Sequence, residues 1–569
     1  MYILGIACYY HDSAAALVKD GDLIAAAEEE RFSRKKHDSG FPALAIQYCL
    51  KEAGISIDEV DYIGFYEKPM IKFDRILMSA LATWPLSYKS FCKAIPRWLS
   101  SRLHIRKEIQ TQLGTTKPIL FGEHHLSHAS AAFHVSPFDE AIILTLDGVG
   151  EWATTMYGYG KGIDIKIEKE IRFPHSLGLL YSAITSYLGF EVNDAEWKVM
   201  GLAPYGKPNY IEQFRKVIDV KDDGSFRLDM NYFTHDWSTS RMFNKRFEKL
   251  FGRPMREKEA ELEDFHRDIA HSGQKIVEET IVKIAQSLYD KYQCPNLCIA
   301  GGVGLNSVAN WKILKETPIK NIFIQPAAGD DGSAIGMAFF IYHSLLKQPR
   351  HFVMNHAYFG PSFTNEECEA FLQSKNISYK KLNEEELLKQ AAQCIWNNEV
   401  IGWFQGRMEF GPRALGSRSI LANPCNAEMK EIINLKIKFR EKFRPFAPSI
   451  LREEVQNWYH LEGDSPFMLL VPKVREEKKD IIPAPTHIDG TGRVQTVTKE
   501  DNPLYYKLIS RFKELSGVPI VVNTSFNVRG EPIVCTPADA YNCFKNTGID
   551  SLFLQNCWIT KNQGEAKNS

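Results

Sequence analysis

Two histidines four residues apart are the first residues of this sequence whose spacing suggests chemistry. His124 and His128 lie in the run His-His-Leu-Ser-His-Ala, and a separation of four places two side chains on the same face of a helix. Imidazole nitrogens at that spacing can share one metal ion, whereas His125 between them would point elsewhere. A polar helix face with surface histidines is the alternative interpretation of the bare spacing.

Carboxylates in two later turns could complete a metal site. Asp147 ends an apolar run, and Asp330 and Asp331 lie in the run Gly-Asp-Asp-Gly-Ser. Two imidazoles with two carboxylates form a mixed nitrogen and oxygen set, which suits iron, manganese or zinc better than magnesium or calcium. We therefore predict a divalent metal, and Fe2+, Mn2+ and Zn2+ all stay open on the donor set alone. The choice between the two neighbouring aspartates stays open at this point.

A third histidine and a lysine near the N-terminus are candidates for handling a reactive group. His11 follows the first apolar run, and an imidazole with a pKa near 6.5 can accept the proton of an attacking hydroxyl. A histidine that only satisfies a turn is consistent with the same position. Lys36 ends a charged run and could hold an anionic part of an intermediate, although such runs usually form solvated surface.

The C-terminal part of the chain concentrates cations around turns that contain glycine and proline. The planar guanidinium matches phosphate and carboxylate oxygens with paired hydrogen bonds, so these residues favour a site for small phosphorylated molecules. An RNA surface, with Phe439 and Phe443 stacking on bases, is the competing explanation. The cationic candidates are Arg407, Arg413, Arg418, Lys438, Arg440, Arg444, Arg493 and Arg529.

The candidate residues lie between segments that have the patterns of strands and helices. Apolar runs at residues 14–18 and 23–27, joined through Asp20 and Gly21, predict a β-hairpin, and a related pattern at residues 141–147 and 153–159 suggests a duplicated unit. Strands at 298–300 and 322–325 should end in glycine- and aspartate-rich turns that lead into helices. These patterns predict an α/β fold with a site at the strand ends.

Helical periodicity and breaks in the pattern define the remaining organisation. Residues 41–53 and 269–292 have the period of helices, and the segments 70–117 and 208–258 read as helical insertions. A polar stretch with proline at residues 347–351 predicts a domain boundary. A helix at 334–346 should precede this break. Beyond the break we expect a second α/β domain, with helices at 385–397 and after Thr536 and strands at 400–405 and 518–522.

Composition and charge restrict the class of protein. The 569 residues require at least two domains at roughly 100 to 200 residues each. Apolar residues make up 44% and charged residues 24%, and the formal net charge is −1, so there is no overall attraction to nucleic acid or acidic membranes. The near-zero net charge thus predicts no nucleic-acid partner and, with no apolar run of roughly 18 residues, no membrane partner. Scattered cysteines, 11 in number, and an N-terminus without a basic start predict a cytoplasmic protein.

The ordered set of motifs resembles known families. The His124 run, the Leu-Thr-Leu-Asp-Gly ending at Gly148, the Gly-Gly-Val-Gly-Leu-Asn run starting at Gly301 and the Gly-Asp-Asp-Gly-Ser-Ala run resemble the actin-like ATPase (ASKHA) fold of TsaD-like domains. The segment from Gly5 to Glu30 resembles the opening of NodU/CmcH carbamoyltransferases. Phe-Gly-Pro-Arg-Ala-Leu-Gly, Lys-Phe-Arg-Pro-Phe-Ala-Pro and Asn-Thr-Ser-Phe-Asn resemble their YrdC-like half.

This resemblance implies a fold and a set of site residues. We expect a duplicated actin-like ATPase domain with helical insertions at residues 1–350, followed by a YrdC-like α/β domain at 351–569. The implied metal ligands are His124, His128, Asp147 and Asp331, with Asp330 as the fallback. The implied nucleotide-binding residues of the first domain are Lys36, Gly148, Gly150, Gly301, Gly302, Asn306 and Asp330. In the second domain the resemblance adds Asn523 and Ser525 to the cationic residues as ligands of carbamoyl phosphate and ATP.

The resemblance also implies an activity. It indicates an ATP-dependent O-carbamoyltransferase that makes carbamoyl-adenylate from carbamoyl phosphate and ATP, with Mg2+ as an option beside ATP. Carbamoyl transfer would go to a hydroxyl of a small molecule such as a sugar, an antibiotic or another natural product, with His11 as the catalytic base. A homodimer is left open. The alternatives are a tRNA threonylcarbamoyl-type modification enzyme and a non-catalytic actin-like nucleotide-binding scaffold.

Overall fold

The N-terminal segment folds as the predicted hairpin in the computed structural model, which describes residues 1–100, 102–441 and 443–561. At the hairpin tip Asp20 and Gly21 have φ angles of 51° and 92°. A two-residue turn with both φ angles positive matches the right-handed twist of the two strands that it joins. Glycine adopts such an angle without strain, so this dipeptide determines where the chain reverses.

The strands of the first unit form two five-stranded sheets and one small hairpin. In chain order they are β1 (Tyr2–Ala7), β2 (Ala14–Lys19), β3 (Asp22–Glu28), β4 (Tyr62–Phe65), β5 (Ile119–Phe121), β6 (Glu140–Leu146), β7 (Ala153–Lys161), β8 (Asp164–Arg172), β9 (Ile218–Val220), β10 (Phe226–Leu228), β11 (Asn296–Ala300) and β12 (Asn321–Ile324).

The two large sheets repeat one topology. The first has the order β3-β2-β1-β4-β5 and the second the corresponding order β8-β7-β6-β11-β12. In each sheet the first strand along the chain pairs antiparallel with the next strand and parallel with the fourth strand. This repeat confirms the duplicated α/β unit that the sequence predicted.

Helices connect and cover these sheets. Helix α1 (Glu30–Ser33) belongs to the second unit and is described with it. The helices of the first unit are α2 (Ala43–Ala53), α3 (Pro69–Ala82), α4 (Tyr88–Ser100), α5 (Ile105–Leu113), α6 (His124–Phe133), α7 (Leu177–Tyr187), α8 (Glu196–Leu202), α9 (Ile211–Val217), α10 (Lys245–Phe251), α11 (Asp264–Tyr292), α12 (Ser307–Glu316) and α13 (Ser333–Phe339). A π-helical turn, Phe340–Leu345, continues α13.

The two predicted insertions differ from each other. Residues 70–117 are helical, as expected, and contain most of α3 together with α4 and α5. Residues 208–258 are not purely helical, because the antiparallel strands β9 and β10 lie between α9 and α10. Alternating burial explains this result: Phe226 and Leu228 are buried and Arg227 between them is exposed, which is the period of a strand.

The second unit contains an eight-stranded mixed sheet. Its strands are β13 (Lys380–Lys381), β14 (Ile401–Phe404), β15 (Arg418–Ala422), β16 (Ala447–Leu451), β17 (Gln495–Val497), β18 (Ile520–Ser525), β19 (Ser551–Leu554) and β20 (Cys557–Thr560). Their order is β13-β20-β19-β14-β15-β18-β16-β17. The helices of this unit, apart from α1, are α14 (Asn365–Ser374), α15 (Glu384–Trp396), α16 (Met429–Ile433), α17 (Val455–Trp458), α18 (Pro503–Ser516) and α19 (Pro537–Lys545).

The helix predicted after Thr536 shows how local sequence sets an element's start. Thr536 caps α19, because its side chain accepts the N–H of Asp539 while the Asp539 carboxylate accepts the N–H of Thr536. Pro537 occupies the first helical position, where its missing N–H costs nothing.

Contacts divide the chain into two units that do not follow the sequence order throughout. Residues Met1–Ala26 and Ser39–Met354 form the first unit, and Ala27–Asp38 with Asn355–Ser569 form the second. An N-terminal segment of twelve residues therefore belongs to the C-terminal unit. Within the described part of the chain, no helix combines the length and the apolar character needed to cross a bilayer.

Candidate metal and carbamoyl-transfer site

The two histidines predicted as ligands lie together in the first turns of α6. Both side chains are buried, and their Nε2 atoms are 3.1 Å apart. Asp147 follows β6 directly, and its Oδ2 lies 3.1 Å from His124 Nε2. The helix start and the strand end thus bring three of the predicted residues together.

The fourth member of the set is Asp330. It begins the short turn Asp330–Gly332 that precedes α13, and its Oδ1 lies 3.6 Å from Nε2 of both His124 and His128. One ligand atom from each of the four side chains can be chosen so that all lie within 4.8 Å of one another. We call His124, His128, Asp147 and Asp330 the His2Asp2 cluster.

Hydrogen bonding around Asp330 tests whether this cluster fits a cation. The carboxylate is fully buried, yet neither of its oxygens has a hydrogen-bond partner. Burying an ionised carboxylate without hydrogen bonds is costly unless positive charge or a metal compensates it. The donor set of two nitrogens and carboxylate oxygens therefore fits a divalent metal of the Fe2+, Mn2+ or Zn2+ type.

The charges of the cluster are strongly coupled. Burial raises the pKa of Asp147, but the hydrogen bond and charge of His124 outweigh it and hold the pKa well below its usual range. For His124, burial lowers the pKa, and the Asp330 charge with the Asp147 hydrogen bond brings it to about 9. The pKa of Asp330 is also lowered, because His11 and His124 outweigh burial. Both aspartates are therefore ionised at neutral pH, as metal ligands must be.

His125 turns away from the cluster, as its place on the helix predicted. Its Nδ1 lies 2.7 Å from the Thr145 hydroxyl and its Nε2 lies 3.0 Å from the Ala153 carbonyl. Burial, together with the charges of His124 and His128, lowers the pKa of His125 to about 3. This histidine is a neutral core residue.

Glu151 supports the cluster, although the sequence analysis did not single it out. Both of its carboxylate oxygens accept the backbone N–H of His124 at 3.1 Å, and Oε1 also accepts the N–H of Lys68 at 2.7 Å. The first N–H groups of a helix have no partner inside the helix, so a buried carboxylate here fixes where α6 begins. The only sequence signal for this role is that Glu151 is an acidic residue four positions after Asp147.

His11 lies beside the cluster. Its Nε2 is 4.0 Å from Asp330 Oδ2, and its Nδ1 is 2.9 Å from Asp12 Oδ2. The side chain is about one quarter exposed, so a second molecule can reach it. Burial lowers the pKa of His11, but Asp330 and Asp12 raise it to about 9, so in this charge environment the imidazole carries a proton at neutral pH.

The predicted nucleotide-binding glycines have different environments. Gly301 has a φ of 91°, and a Cβ there would lie 2.2 Å from the Leu146 carbonyl oxygen, so only glycine fits. The Gly302 N–H donates to Asp147 Oδ1 at 3.0 Å and so orients that carboxylate. A Cβ on Gly150 would lie 2.9 Å from the ring of His124, whereas beside Gly148 the space is open.

Asn306, Asp331 and Lys36 have surroundings that the sequence patterns did not indicate. Asn306 caps α12, because its Oδ1 accepts the Ala309 N–H at 3.1 Å, and its amide also pairs with Gln274. Asp331 lies outside the His2Asp2 cluster, so the fallback residue Asp330 replaces it in the geometry. Lys36 belongs to Ala27–Asp38 and therefore to the second unit, and its role in nucleotide binding stays a prediction.

Three half-buried arginines of the second unit are candidates for a cationic site. Burial lowers the pKa of Arg413 to about 10, and burial together with Arg444 lowers that of Arg440 to about 9. The pKa of Arg493 is lowered further, by burial and then by the charges of Arg413 and Arg440. We call Arg413, Arg440 and Arg493 the guanidinium cluster. Mutual repulsion in a half-buried place is relieved by an anion, so this arrangement fits a phosphate-bearing ligand.

Lys438, Ser525 and Asn523 line the same part of the sheet. Lys438 is buried, and its Nζ donates to Asn527 Oδ1 at 2.7 Å and lies 3.3 Å from Ser525 Oγ. The Asn523 amide donates to Ser449 Oγ and to Gln495 Oε1, both at 3.1 Å, while its Oδ1 is buried without a partner. Asn523 therefore has an acceptor that a ligand can use.

Other predicted cations have roles in the protein itself. Arg418 is fully buried, with its guanidinium 3.7 Å above the Phe404 ring and donating to the carbonyls of Gln405 and Pro361. Its Nη1 and Nη2 groups are therefore used by backbone carbonyls, and its role as a phosphate ligand stays a prediction. Arg407 donates to the Phe359 carbonyl at 2.8 Å.

The last two predicted cations differ in burial. Arg444 is buried and pairs with Glu441. Arg529 is exposed.

Comparison with known proteins identifies the family. The chain matches the family described as "Carbamoyltransferase N-terminus" over residues 2–339 and that described as "Carbamoyltransferase C-terminus" over residues 392–561. The chain belongs to the carbamoyltransferase family. It is therefore an enzyme of the NodU/CmcH type, as the motifs indicated.

Relatives of this carbamoyltransferase extend over its whole length. An uncharacterized protein of Synechocystis sp. is 49% identical over 98% of this chain and 97% of its own. Nodulation protein NolNO of Sinorhizobium fredii is 36% identical over 97% of this chain and 79% of its own. The 3'-hydroxymethylcephem-O-carbamoyltransferase of Amycolatopsis lactamdurans is 32% identical over 47% of this chain and 49% of its own.

Similarity to solved structures is distant. Component A of the (R)-2-hydroxyglutaryl-CoA dehydratase of Acidaminococcus fermentans aligns with 60% of this carbamoyltransferase and over 97% of its own chain. The sequence identity is 12% and the TM-score is 0.31.

Proposed function

We propose that this carbamoyltransferase uses ATP and carbamoyl phosphate to form carbamoyl-adenylate, and then transfers the carbamoyl group to a hydroxyl of a small molecule. The observation that carries the proposal is the buried carboxylate of Asp330, which lies 3.6 Å from two imidazoles and has no hydrogen-bond partner. Such a site suits a cation beside a nucleotide phosphate, and an actin-like unit supplies glycine turns next to it.

The second unit would carry out the activating step. Carbamoyl phosphate reacts with water to give carbamate and inorganic phosphate, and a carbamate oxygen then attacks the α-phosphorus of ATP. The new P–O bond gives carbamoyl-adenylate, and pyrophosphate leaves with its electron pair. Arg413, Arg440 and Arg493 would neutralise the phosphate charge that these steps bring into one place.

The first unit would carry out the transfer. A divalent cation held by His124, His128, Asp147 and Asp330, with Fe2+ as our first choice, would act as a Lewis acid for the adenylate phosphate. The acceptor oxygen attacks the carbamoyl carbon, and the bond to the AMP oxygen breaks. His11, which is partly exposed beside Asp330, would take the hydroxyl proton in its neutral form. The Asp330 charge raises the pKa of His11, so a cation that compensates this charge would favour the neutral imidazole.

The acceptor would be an alcohol carried by a small molecule. The similarity to a 3'-hydroxymethylcephem-O-carbamoyltransferase supports a hydroxyl as the accepting group. Carbamoyl-adenylate is a mixed anhydride that water would hydrolyse, so the proposal requires that the intermediate is protected until transfer.

Two assays on one set of variants test the proposal. The wild type should release pyrophosphate from ATP only when carbamoyl phosphate is present, and His11→Ala should keep ATP–pyrophosphate exchange while losing transfer. Arg413→Ala should lose the exchange itself. Pyrophosphate release that does not depend on carbamoyl phosphate, or loss of exchange in His11→Ala, would contradict the assignment of the two steps.

Carbamoyl acceptors can be found by mass spectrometry. Hydroxylated metabolites incubated with the enzyme, ATP and carbamoyl phosphate should gain the mass of one carbamoyl group. The matched control is the His124→Ala variant, which should give no such product although it still forms the adenylate. A product that forms equally with this variant would remove the His2Asp2 cluster from the transfer step.

A further inference from the structure

The helical hairpin formed by α3 and α4 exposes an unusual amount of apolar surface. Eight of the nineteen large hydrophobic side chains exposed among the described residues lie between positions 70 and 99. Five of them surround the turn between the helices, and we call these five the hairpin tip: Met78, Leu81, Trp84, Leu86 and Tyr88. Their exposed fractions run from 49% to 61%, which is more than scattered surface hydrophobics require.

The tip is an ordered structure. The Ser87 hydroxyl donates to the Ala80 carbonyl at 2.5 Å, and that of Thr83 donates to the Ser79 carbonyl at 2.8 Å. The rings of Trp84 and Tyr88 lie 5.6 Å apart. The apolar side chains are therefore held outwards on a defined turn.

Positive charge accompanies this apolar surface. Between Asp74 and Glu108 the sequence contains seven lysine and arginine residues and no aspartate or glutamate, in a chain whose net charge is −1. Arg75 is buried and does not contribute to this surface. Lys89 and Lys93 are exposed on α4, one turn apart. Asp74 itself accepts a hydrogen bond from Trp152 Nε1 at 3.1 Å.

The exposed face of α4 combines both properties. Its exposed positions include Tyr88, Cys92, Pro96 and Leu99, which recur at helical spacing next to the lysines. The opposite side packs inwards: the Ser90 hydroxyl donates to the Trp237 carbonyl at 2.8 Å. A soluble surface helix has polar residues on its outer face, so this pattern is that of a helix at a membrane interface.

We propose that the hairpin tip and the basic face of α4 dock this enzyme on an anionic lipid surface. The apolar side chains would enter the boundary between headgroups and acyl chains, where tryptophan and tyrosine are favoured, while the lysines would meet lipid phosphates. Docking is peripheral. The inference departs from the sequence expectation of no membrane partner, and it does not depend on the carbamoyl-transfer proposal.

Charge favours a lipid surface over a second copy of the chain. Two copies related by a two-fold axis would bring the same face together and oppose Lys89 and Lys93 of one copy to those of the other. Because no carboxylate occurs between residues 75 and 107, the segment offers no partner for these charges. An anionic lipid surface offers one for each.

Vesicle flotation with the full chain tests the proposal. The wild type should bind vesicles of equal parts phosphatidylglycerol and phosphatidylcholine at low salt, and should bind pure phosphatidylcholine much more weakly. The double variant Lys89→Glu with Lys93→Glu should lower the partition coefficient on the anionic vesicles by roughly tenfold or more. The variant Trp84→Ser with Leu86→Ser should produce a loss of at least similar size.

Matched controls separate docking from general effects. Lys375→Glu with Lys380→Glu makes the same change of charge on exposed lysines of the second unit, and Ile488→Ser removes an exposed apolar side chain there. Both should bind as the wild type does, and all variants should keep the thermal unfolding transition. No binding of the wild type to anionic vesicles, or equal losses in the controls, would overturn the proposal. The proposal would also be overturned if the wild type formed a concentration-dependent dimer, did not bind vesicles, and became monomeric on replacement Trp84→Ser.

Discussion

Two neighbouring carboxylates, Asp330 and Asp331, have different surroundings, and this difference predicts different metal-binding effects. Asp330 faces two imidazoles and has no hydrogen-bond partner, whereas Asp331 lies outside that cluster. We expect Asp330→Asn to weaken Mn2+ binding by more than the roughly 10- to 100-fold that is typical for loss of an outer partner of a ligand. Calorimetric titration with Mn2+ measures this.

The adjacent variant is the control for that measurement. Asp331→Asn removes the same charge one residue away, so a general electrostatic effect would appear in both proteins. We expect its Mn2+ affinity to stay within a few fold of the wild type. A larger loss in Asp331→Asn than in Asp330→Asn would restore the assignment that the sequence motif favoured.

Two arginines only five positions apart should respond in opposite ways to truncation. Arg418→Ala leaves buried carbonyls without donors, at about 1–3 kcal/mol each, so denaturant unfolding should show a large loss of stability. Arg413→Ala removes a charge that repels Arg493, so its stability should be equal to or above that of the wild type. Carbamoyl phosphate and ATP should then show raised KM values with Arg413→Ala. Unchanged stability of Arg418→Ala would contradict the structural role.

At the scale of elements, the start of α6 depends on a residue from another segment. Glu151 accepts the backbone N–H of His124, and removing it frees the first turn of the helix that holds two cluster residues. We expect Glu151→Ala to weaken Mn2+ binding roughly 10- to 100-fold, and Glu151→Gln, which keeps an acceptor oxygen, to recover part of the loss. Titration of both variants separates positioning from charge.

Glu123 provides the matched control for this element. It immediately precedes α6 but its side chain makes no capping hydrogen bond, and it pairs at the surface with Lys68 at 2.8 Å. Glu123→Ala should therefore leave Mn2+ affinity nearly unchanged. Equal losses in Glu123→Ala and Glu151→Ala would show that any acidic residue near this helix end contributes.

The elements were predictable where local sequence determines them. The turn at Asp20-Gly21, the cap of α19 at Thr536 and the duplicated strands follow from short patterns, and the structure has all of them. Helix spacing placed His124 and His128 on one face, and the family resemblance added Asp147 to the expected set, which the structure brings together. Pattern and geometry agree at these positions.

The remaining features depend on contacts between distant segments. The choice of Asp330 over Asp331 depends on the path of one short turn, which no periodicity encodes. An arginine in a glycine-rich turn has the same pattern whether it lies near another guanidinium group, like Arg413, or donates to backbone carbonyls, like Arg418. Glu151 has a role only because β6 and α6 are neighbours in space. Such roles follow from packing and cannot be derived from spacing along the chain.

At the scale of the whole molecule, the N-terminal segment 27–38 forms part of the C-terminal unit. Arg31 shows why: its Nη2 donates to the Gly411 carbonyl at 2.9 Å, and the Gly411 N–H donates to Glu28 Oε1 at 2.8 Å. Arg31 also pairs with the buried carboxylates of Glu28 and Glu30. These residues lie about 380 positions apart in sequence, so the domain composition depends on a long-range ion-pair network.

Replacing Arg31 should therefore destabilise the second unit in a way that depends on pH. Arg31→Met leaves two buried carboxylates without their cation, which costs about 3–5 kcal/mol at neutral pH. Burial raises the pKa of Glu28 and only Arg31 opposes this strongly, so the variant's folded state should bind a proton more readily than its unfolded state. The loss of stability should then shrink as pH falls below the raised pKa of Glu28. Lys35→Met changes an exposed residue of the same segment and should show neither effect in denaturant unfolding. A loss of stability in Arg31→Met that stays constant with pH would contradict the ion-pair network.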